Sequence, residues 1–316
     1  MVRSGCAALL SVLLLAAGCG DGDGEKAARA DGRPKVVAAF YPLFEAAQRV
    51  GGDRVDVFNL TPPGTEPHDL ELTPRQVDRI EGADIVVFLG AGFQPGVEKV
   101  VQRSEGEAID ALEGLSLMPG THEEKEAGGE RTGGEEHAGE DMDSHVWLDP
   151  GLLGRVAERV EAGLAEADPA GKAIYAKNAA AYRRELGLLD DEFGRRLTGC
   201  SRRVMVTAHA AFGYLARRYG LTQEAIAGLS PESEPHPRRL AELAELVRST
   251  GTTTVFTETL VSPRVAETLA REAGVTTAVL NPIEGLTEDE LKAGKTYAVV
   301  MRENLDTLVK ALGCGG

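Results

Sequence analysis

The stretch KVVAAFYPLFEAAQRV, residues 35–50, decides the fold class. Its first half is a short Val- and Ala-rich run, the composition of a strand buried on both faces. Its second half opens on Pro42, whose missing amide needs no partner in a first helical turn, and continues at helical spacing to Val50. The same unit recurs: Val55–Leu60 and Asp84–Leu89 read as strands, Pro74–Glu81 and Gln94–Arg103 as helices. Leu152–Ala167 reads as a helix, and a longer helical run, 169–197, places Ile174, Tyr175, Tyr182, Leu186, Leu189 and Phe193 at one spacing. That run spans about 43 Å as a helix. The alternation then restarts, with strands at Arg203–Thr207, Glu224–Gly228, Thr253–Thr257 and Val275–Leu280 and helices at Phe212–Tyr219, Arg238–Ser249, Pro263–Ala273 and Thr296–Leu312. The expected class is α/β: two Rossmann-like lobes, 35–167 and 199–316, joined by a single long helix over 168–198.

Residues 1–18 read as a signal peptide, with Arg3 followed by about eleven apolar residues, too few to span a bilayer. The run Leu15-Ala16-Ala17-Gly18-Cys19 has the form of a bacterial lipobox, which makes Cys19 the lipidated first residue of an extracytoplasmic chain anchored to the cell membrane without spanning it. An ordinary secretory signal is the alternative. Residues 19–34 are small and charged and read as a tether. A formal charge of −16 argues against nucleic acid as a partner. The cysteines left after Cys6 and Cys19 are Cys200 and Cys314, which either pair in an oxidising compartment or stay as free thiols.

Six histidines occur in 316 residues, and three stand in distinctive settings: His68 in Glu66-Pro67-His68-Asp69, His145 in Ser144-His145-Val146-Trp147-Leu148-Asp149-Pro150, and His209 in Thr207-Ala208-His209-Ala210-Ala211-Phe212-Gly213-Tyr214. Neutral imidazole is the commonest protein ligand for zinc-like metals. His209 lies just beyond an expected strand and His68 in a loop leaving another, the positions where open α/β sheets bind ligands. Glu284, also following a strand, is the expected fourth ligand, and three imidazoles with one carboxylate make a full set for Zn²⁺. A full set leaves no position for a metal-bound water, which favours binding over catalysis. Residues 120–144 are acidic, lack apolar periodicity, and contain His122 and His137; they read either as a solvated insertion or as a metal-collecting loop. Gly294-Lys295-Thr296 and Gly90-Ala91-Gly92 both fail as nucleotide motifs, since Asp289 stands where the first needs glycine and Gly96 falls one place late in the second.

Together these histidine motifs, with Ser230-Pro231-Glu232-Ser233-Glu234-Pro235, Glu258-Thr259-Leu260-Val261-Ser262-Pro263 and Asn281-Pro282-Ile283-Glu284-Gly285-Leu286-Thr287, resemble the metal-binding lipoproteins of ABC-type zinc and manganese importers, from about Lys35 to the C-terminus. The resemblance implies metal held in an interlobe cleft by His68, His145 and His209, and a monomer that passes its ion to a permease driven by a separate ATPase subunit. Manganese members typically carry a carboxylate where His209 stands and an Asp in the last loop. Three nitrogens suit zinc better than Mn²⁺, although Asn281 leaves Glu284, water and Glu66 open as the fourth ligand. A manganese or iron carrier of the same class, a zinc-dependent hydrolase using Glu66 or Glu234 as base, and a surface adhesin are the rival readings. Glu232, Glu234 and Glu258 are expected near the cleft or in caps, Trp147 as packing behind His145, and His236 as exposed.

Overall fold

Val36, Val37 and Ala38 are all buried, and with Lys35 they form β1 (Lys35–Ala38), a central strand of a four-stranded parallel sheet. The computed structural model describes residues 32–120 and 142–315. The signal peptide, Cys19, most of the tether, and His122 and His137 lie outside the described residues. After β1 come α1 (Tyr41–Gly51), β2 (Asp56–Asn59), α2 (Pro74–Glu81), β3 (Ile85–Phe88), α3 (Pro95–Val101) and β4 (Glu107–Asp110). The sheet order is β2-β1-β3-β4. The strand β4 went unread because only Ile109 of its residues is buried.

Two short strands, β5 (Met118–Pro119) and β6 (Met142–Asp143), pair antiparallel. The acidic segment therefore begins and ends in a built stem rather than in open loop, which corrects the expectation for its last residues. Tyr214 fixes that stem, accepting a hydrogen bond from the Met118 amide (2.9 Å) and donating to the Asp143 carbonyl (2.7 Å).

α4 (Pro150–Ala167) opens on Asp149, whose carboxylate accepts from the amides of Gly151 and Leu152. α5 (Lys172–Arg196) is 25 residues long, about 37 Å, shorter than expected because Pro169–Gly171 form a 3-10 turn. Its buried stripe is Tyr175, Ala179, Tyr182, Leu186, Leu189 and Phe193, the i, i+3, i+4, i+7 pattern of one face. Ile174, placed on that face by the sequence reading, is 46% exposed, one step round the helix. α5 packs against α4, α1 and the last helix of the chain.

The second lobe follows as β7 (Val204–Thr207), α6 (Gly213–Tyr219), β8 (Thr222–Ala225), α7 (Pro237–Thr250), β9 (Thr254–Thr257), α8 (Arg264–Ala273), β10 (Thr276–Val279), α9 (Glu288–Lys292) and α10 (Tyr297–Leu312). Its sheet runs β10-β9-β7-β8, all parallel. Taken in chain order, the second sheet repeats the arrangement of the first: each lobe's second strand lies on one side of its first strand and the third on the other. Each sheet thus has a switch point where crossovers diverge and a crevice opens at the strands' carboxyl ends. The polar edge strand β8 lies two to three residues earlier than expected, because the buried apolar pair Ile226-Ala227 belongs to its exit.

One continuous core joins the β1–β4 sheet, α4, α5 and α10, and a smaller one lies under α7 and α8. Cys200 and Cys314 form a disulfide that ties the end of α10 to the approach to β7, closing 114 residues. Among the described residues no helix is long and apolar enough to cross a membrane. Replacing Cys314 by Ser is expected to lower the unfolding free energy by about 2–4 kcal/mol, chiefly by freeing the unfolded chain. Chemical denaturation without reductant measures it.

Candidate metal centre

The local rules that built the second sheet also place His209. It stands two residues past β7, in extended backbone (φ −133°, ψ 177°), before a 3-10 turn over Ala210–Phe212. Gln223 of β8 donates to Thr207 Oγ1 and to the His209 carbonyl. Glu258, the first residue after β9, accepts from the His209 amide at 3.1 Å and from its ring Nδ1 at 2.7 Å. A carboxylate on Nδ1 keeps the proton there and leaves Nε2 with a free lone pair. His145 is held the same way by Asp143, whose Oδ1 takes the His145 amide at 2.9 Å and its Nδ1 at 2.8 Å. Trp147 stacks obliquely behind it, ring centroids 5.0 Å apart, and donates Nε1–H to the Pro282 carbonyl.

His68 comes from the long loop between β2 and α2. Its amide donates to Glu66 Oε1 at 3.1 Å, Gln94 donates to the preceding Pro67 carbonyl, and Phe93 lies edge-on to its ring at 4.4 Å. Glu284 lies in the segment after β10, next to Ile283, whose backbone is left-handed (φ 60°).

These four residues meet. Glu284 Oε1 lies 3.4 Å from His68 Nε2, 3.4 Å from His145 Nε2 and 3.1 Å from His209 Nε2. All four ligand atoms fall within 4.8 Å of one another. Zn–N and Zn–O bonds of about 2.0–2.1 Å in a tetrahedron put ligand atoms roughly 3.3 Å apart, so the group needs only a small contraction to grip one ion. Among the described residues, His145 Nε2 is buried with nothing but Glu284 beside it, at a distance and angle too poor for a hydrogen bond, which is costly unless a metal takes its lone pair. The side chains of His145, His209 and Glu284 are at most 1% exposed, whereas that of His68 is 10% exposed.

The electrostatics follow from burial of one anion among imidazoles. Burial disfavours ionised Glu284, but the imidazoles, His209 first, outweigh it and hold its carboxyl well below the usual range. Burial likewise opposes charge on His209, and the Glu258 and Glu284 carboxylates overcome it, raising its pKa well above that of free imidazole. His145 is also raised against burial, by Asp143 and Glu284, while burial lowers His68.

Glu66, an alternative fourth ligand, is not one of the four. Its carboxylate accepts the amides of His68 and Asp69, and burial, with the Glu284 charge, pushes it up to about 7. Asn281 turns its side chain to the Ile283 amide. Glu232 and Glu234 are exposed, and His236 is exposed and caps α7. Asp143 was missed; its only signal is its place two residues before His145, hidden in an acidic run.

Comparison with known proteins bears on this group. Residues 36–311 match the family described as zinc-uptake complex component A, periplasmic (ZnuA). The chain is 40% identical over 283 residues to the zinc-binding lipoprotein AdcA of Streptococcus pneumoniae, covering 89% of this chain and 56% of that protein, so it spans little more than half of that relative. It is 36% identical over 313 residues to the high-affinity zinc uptake system protein ZnuA of Bacillus subtilis, covering 98% and 97% of the two. The crystal structure of Zn(II)-bound AdcA from Streptococcus pneumoniae superposes with a TM-score of 0.75 at 37% identity, over 90% of this chain and 59% of that one.

Removing either carboxylate behind a histidine, Asp143→Asn or Glu258→Gln, is expected to weaken metal binding roughly 10- to 100-fold, read by competition with a chromophoric chelator. Affinity is also expected to fall with falling pH. A ligating imidazole must be neutral, and the raised His209 pKa means a proton competes from above the ordinary imidazole range. Affinity measured across pH 5–9 tests this; a flat profile would contradict it.

Proposed function

Since the chain belongs to the family of zinc-uptake complex component A, we propose that it is an extracytoplasmic zinc-binding lipoprotein that captures Zn²⁺ for an ABC-type importer. The observation that carries this reading is the convergence of three imidazole nitrogens on one buried carboxylate oxygen, with the His145 Nε2 otherwise unpartnered among the described residues. Zn²⁺ is the cargo. His68, His145 and His209 supply neutral nitrogen donors, and Glu284 supplies the one anionic donor. Asp143 and Glu258 stand behind two of the rings, so three carboxylates offset the dication and reduce the cost of burying it. Three nitrogens favour zinc over Mn²⁺ or ferrous iron, which prefer more oxygen.

Four protein donors complete a tetrahedron. The ion is then sequestered rather than used: hydrolysis requires a metal-bound water, and the set leaves no position for one. The reading is therefore of a carrier and not an enzyme. Cys19 would carry the lipid that keeps the protein at the membrane surface, and a permease with a separate ATPase subunit would receive the ion. In the same reading the lobes are 35–167 and 199–316, and α5 joins them and restrains their closure. Such a helix leaves loop rearrangement around the site as the route for loading and release.

One zinc per chain is expected for the metal-free protein, with that binding lost or strongly weakened in each of His68→Ala, His145→Ala and His209→Ala. Equal stoichiometry and affinity in all four proteins would refute the site. Direct competition is expected to favour Zn²⁺ over Mn²⁺, and a preference for Mn²⁺ would reassign the cargo.

A further inference from the structure

The backbone that presents Glu284 is held in a conformation it would not keep unaided. Ile283 has φ 60°, a region that β-branched residues rarely enter, and its side chain is fully buried. The preceding residue is a proline, which cannot donate from its nitrogen. Strain of this kind persists only where the surroundings over-determine it.

Here the surroundings are a clasp of two buried asparagines. Asn304 of α10 accepts the Asn281 amide at 2.8 Å on Oδ1 and donates Nδ2–H to the Asn281 carbonyl at 2.7 Å. One carboxamide thus satisfies both polar groups of one peptide residue. Asn281 in turn accepts the Ile283 amide on its own Oδ1 at 2.7 Å. Asn304 is 2% exposed and Asn281 5%, so no water replaces these bonds cheaply. Opposite, Trp147 donates to the Pro282 carbonyl at 2.7 Å. α10 is itself fixed at its start, where the Tyr297 amide donates to Glu45 of α1 and the Tyr297 hydroxyl to the Trp147 carbonyl.

We infer that Asn304 is a positioning residue for metal capture: by clasping Asn281 it holds Ile283 left-handed and thereby delivers the Glu284 carboxylate to the three imidazoles. The inference rests on the metal-site reading above. Without the clasp, Ile283 relaxes to negative φ, a rotation that swings the next residue's carboxylate away from the histidines. The histidines remain, since each is held by other contacts, so a water would take the fourth position. The same clasp explains why Asn281 is not a ligand: its side chain is spent on the turn.

The test uses the full chain with Asn304→Ala, Asn304→Asp, Glu284→Ala and the double variant Glu284→Ala/Asn304→Ala. Zn²⁺ affinity is read by chelator competition, and Co²⁺ as a probe reports the donor set through its visible absorption, whose band positions and shape change when water replaces a carboxylate in the fourth position. Asn304→Asp keeps the side-chain shape and carries the test if the alanine variant does not fold. The expected result is a roughly 10- to 100-fold loss of Zn²⁺ affinity for either Asn304 variant. The Co²⁺ spectrum should converge on that of Glu284→Ala, and the double variant should bind no more weakly than Glu284→Ala alone. Wild-type affinity and spectrum in Asn304→Asp would overturn the inference, as would an Asn304 penalty that persists in full without Glu284. His209→Ala separates the two readings: if it abolishes binding while Asn304→Asp behaves as wild type, only the positioning role falls, and if it binds normally, the metal site and the role built on it fall together.

Discussion

A single carboxylate oxygen, Glu284 Oε1, within 3.4 Å of three imidazole nitrogens and almost wholly out of solvent, is the constraint around which this molecule is arranged. An anion in such a place is tolerable only with positive charge beside it, either protons on the rings or a metal among them. Asp143 and Glu258 make the same demand from behind two of the rings. Six ionisable groups, the three imidazoles with Glu284, Asp143 and Glu258, are thus stable together only with protons on the rings or a metal cation among them. On the reading proposed above, that mutual dependence makes a binder of an otherwise ordinary α/β fold.

The fold meets the demand through its repeat. Both sheets switch direction beside their first strand, and the second lobe puts His209 and Glu258 at the ends of the neighbouring strands β7 and β9. The pair are close because parallel strands ending side by side must bring their exits together. Glu284 then follows β10 on the edge of that sheet, and the first lobe contributes His68 and His145 through loops. Rigid elements carry the supporting carboxamides and aromatics, Asn304 on α10 and Tyr214 on α6, so the loops inherit their precision from helices.

Most of this architecture was legible in the sequence, and for a physical reason: doubly buried strands are written as unbroken Val and Ile runs, and amphipathic helices as stripes. Ile85, Val86 and Val87 or Tyr175, Tyr182 and Leu189 announce themselves. The failures share a cause too. β4 and β8 are edge strands with few buried residues, so the sequence reading leaves β4 out and places β8 two to three residues late. The stem of β5 and β6 exists because Tyr214, distant in sequence, pins both strands. The four clustered residues were named from motifs, but Asp143 and Asn304 were not, since a buried polar partner carries no periodicity. Nothing local in the sequence says that Asn304 faces Asn281.

The four donors differ in one respect, the exposure of their side chains. His145, His209 and Glu284 are sealed, while His68, on the long loop between β2 and α2, keeps a tenth of its side chain in solvent. On the reading proposed above, that asymmetry gives ligand exchange a direction. The last bond to close on an incoming ion, and the first to open on its way out, is the one at His68, because only there does the solvent already touch the ring. Residence time then turns on the one bond that solvent reaches, while equilibrium affinity draws on all four donors, so a change beside His68 that speeds entry and exit alike leaves the affinity where it was.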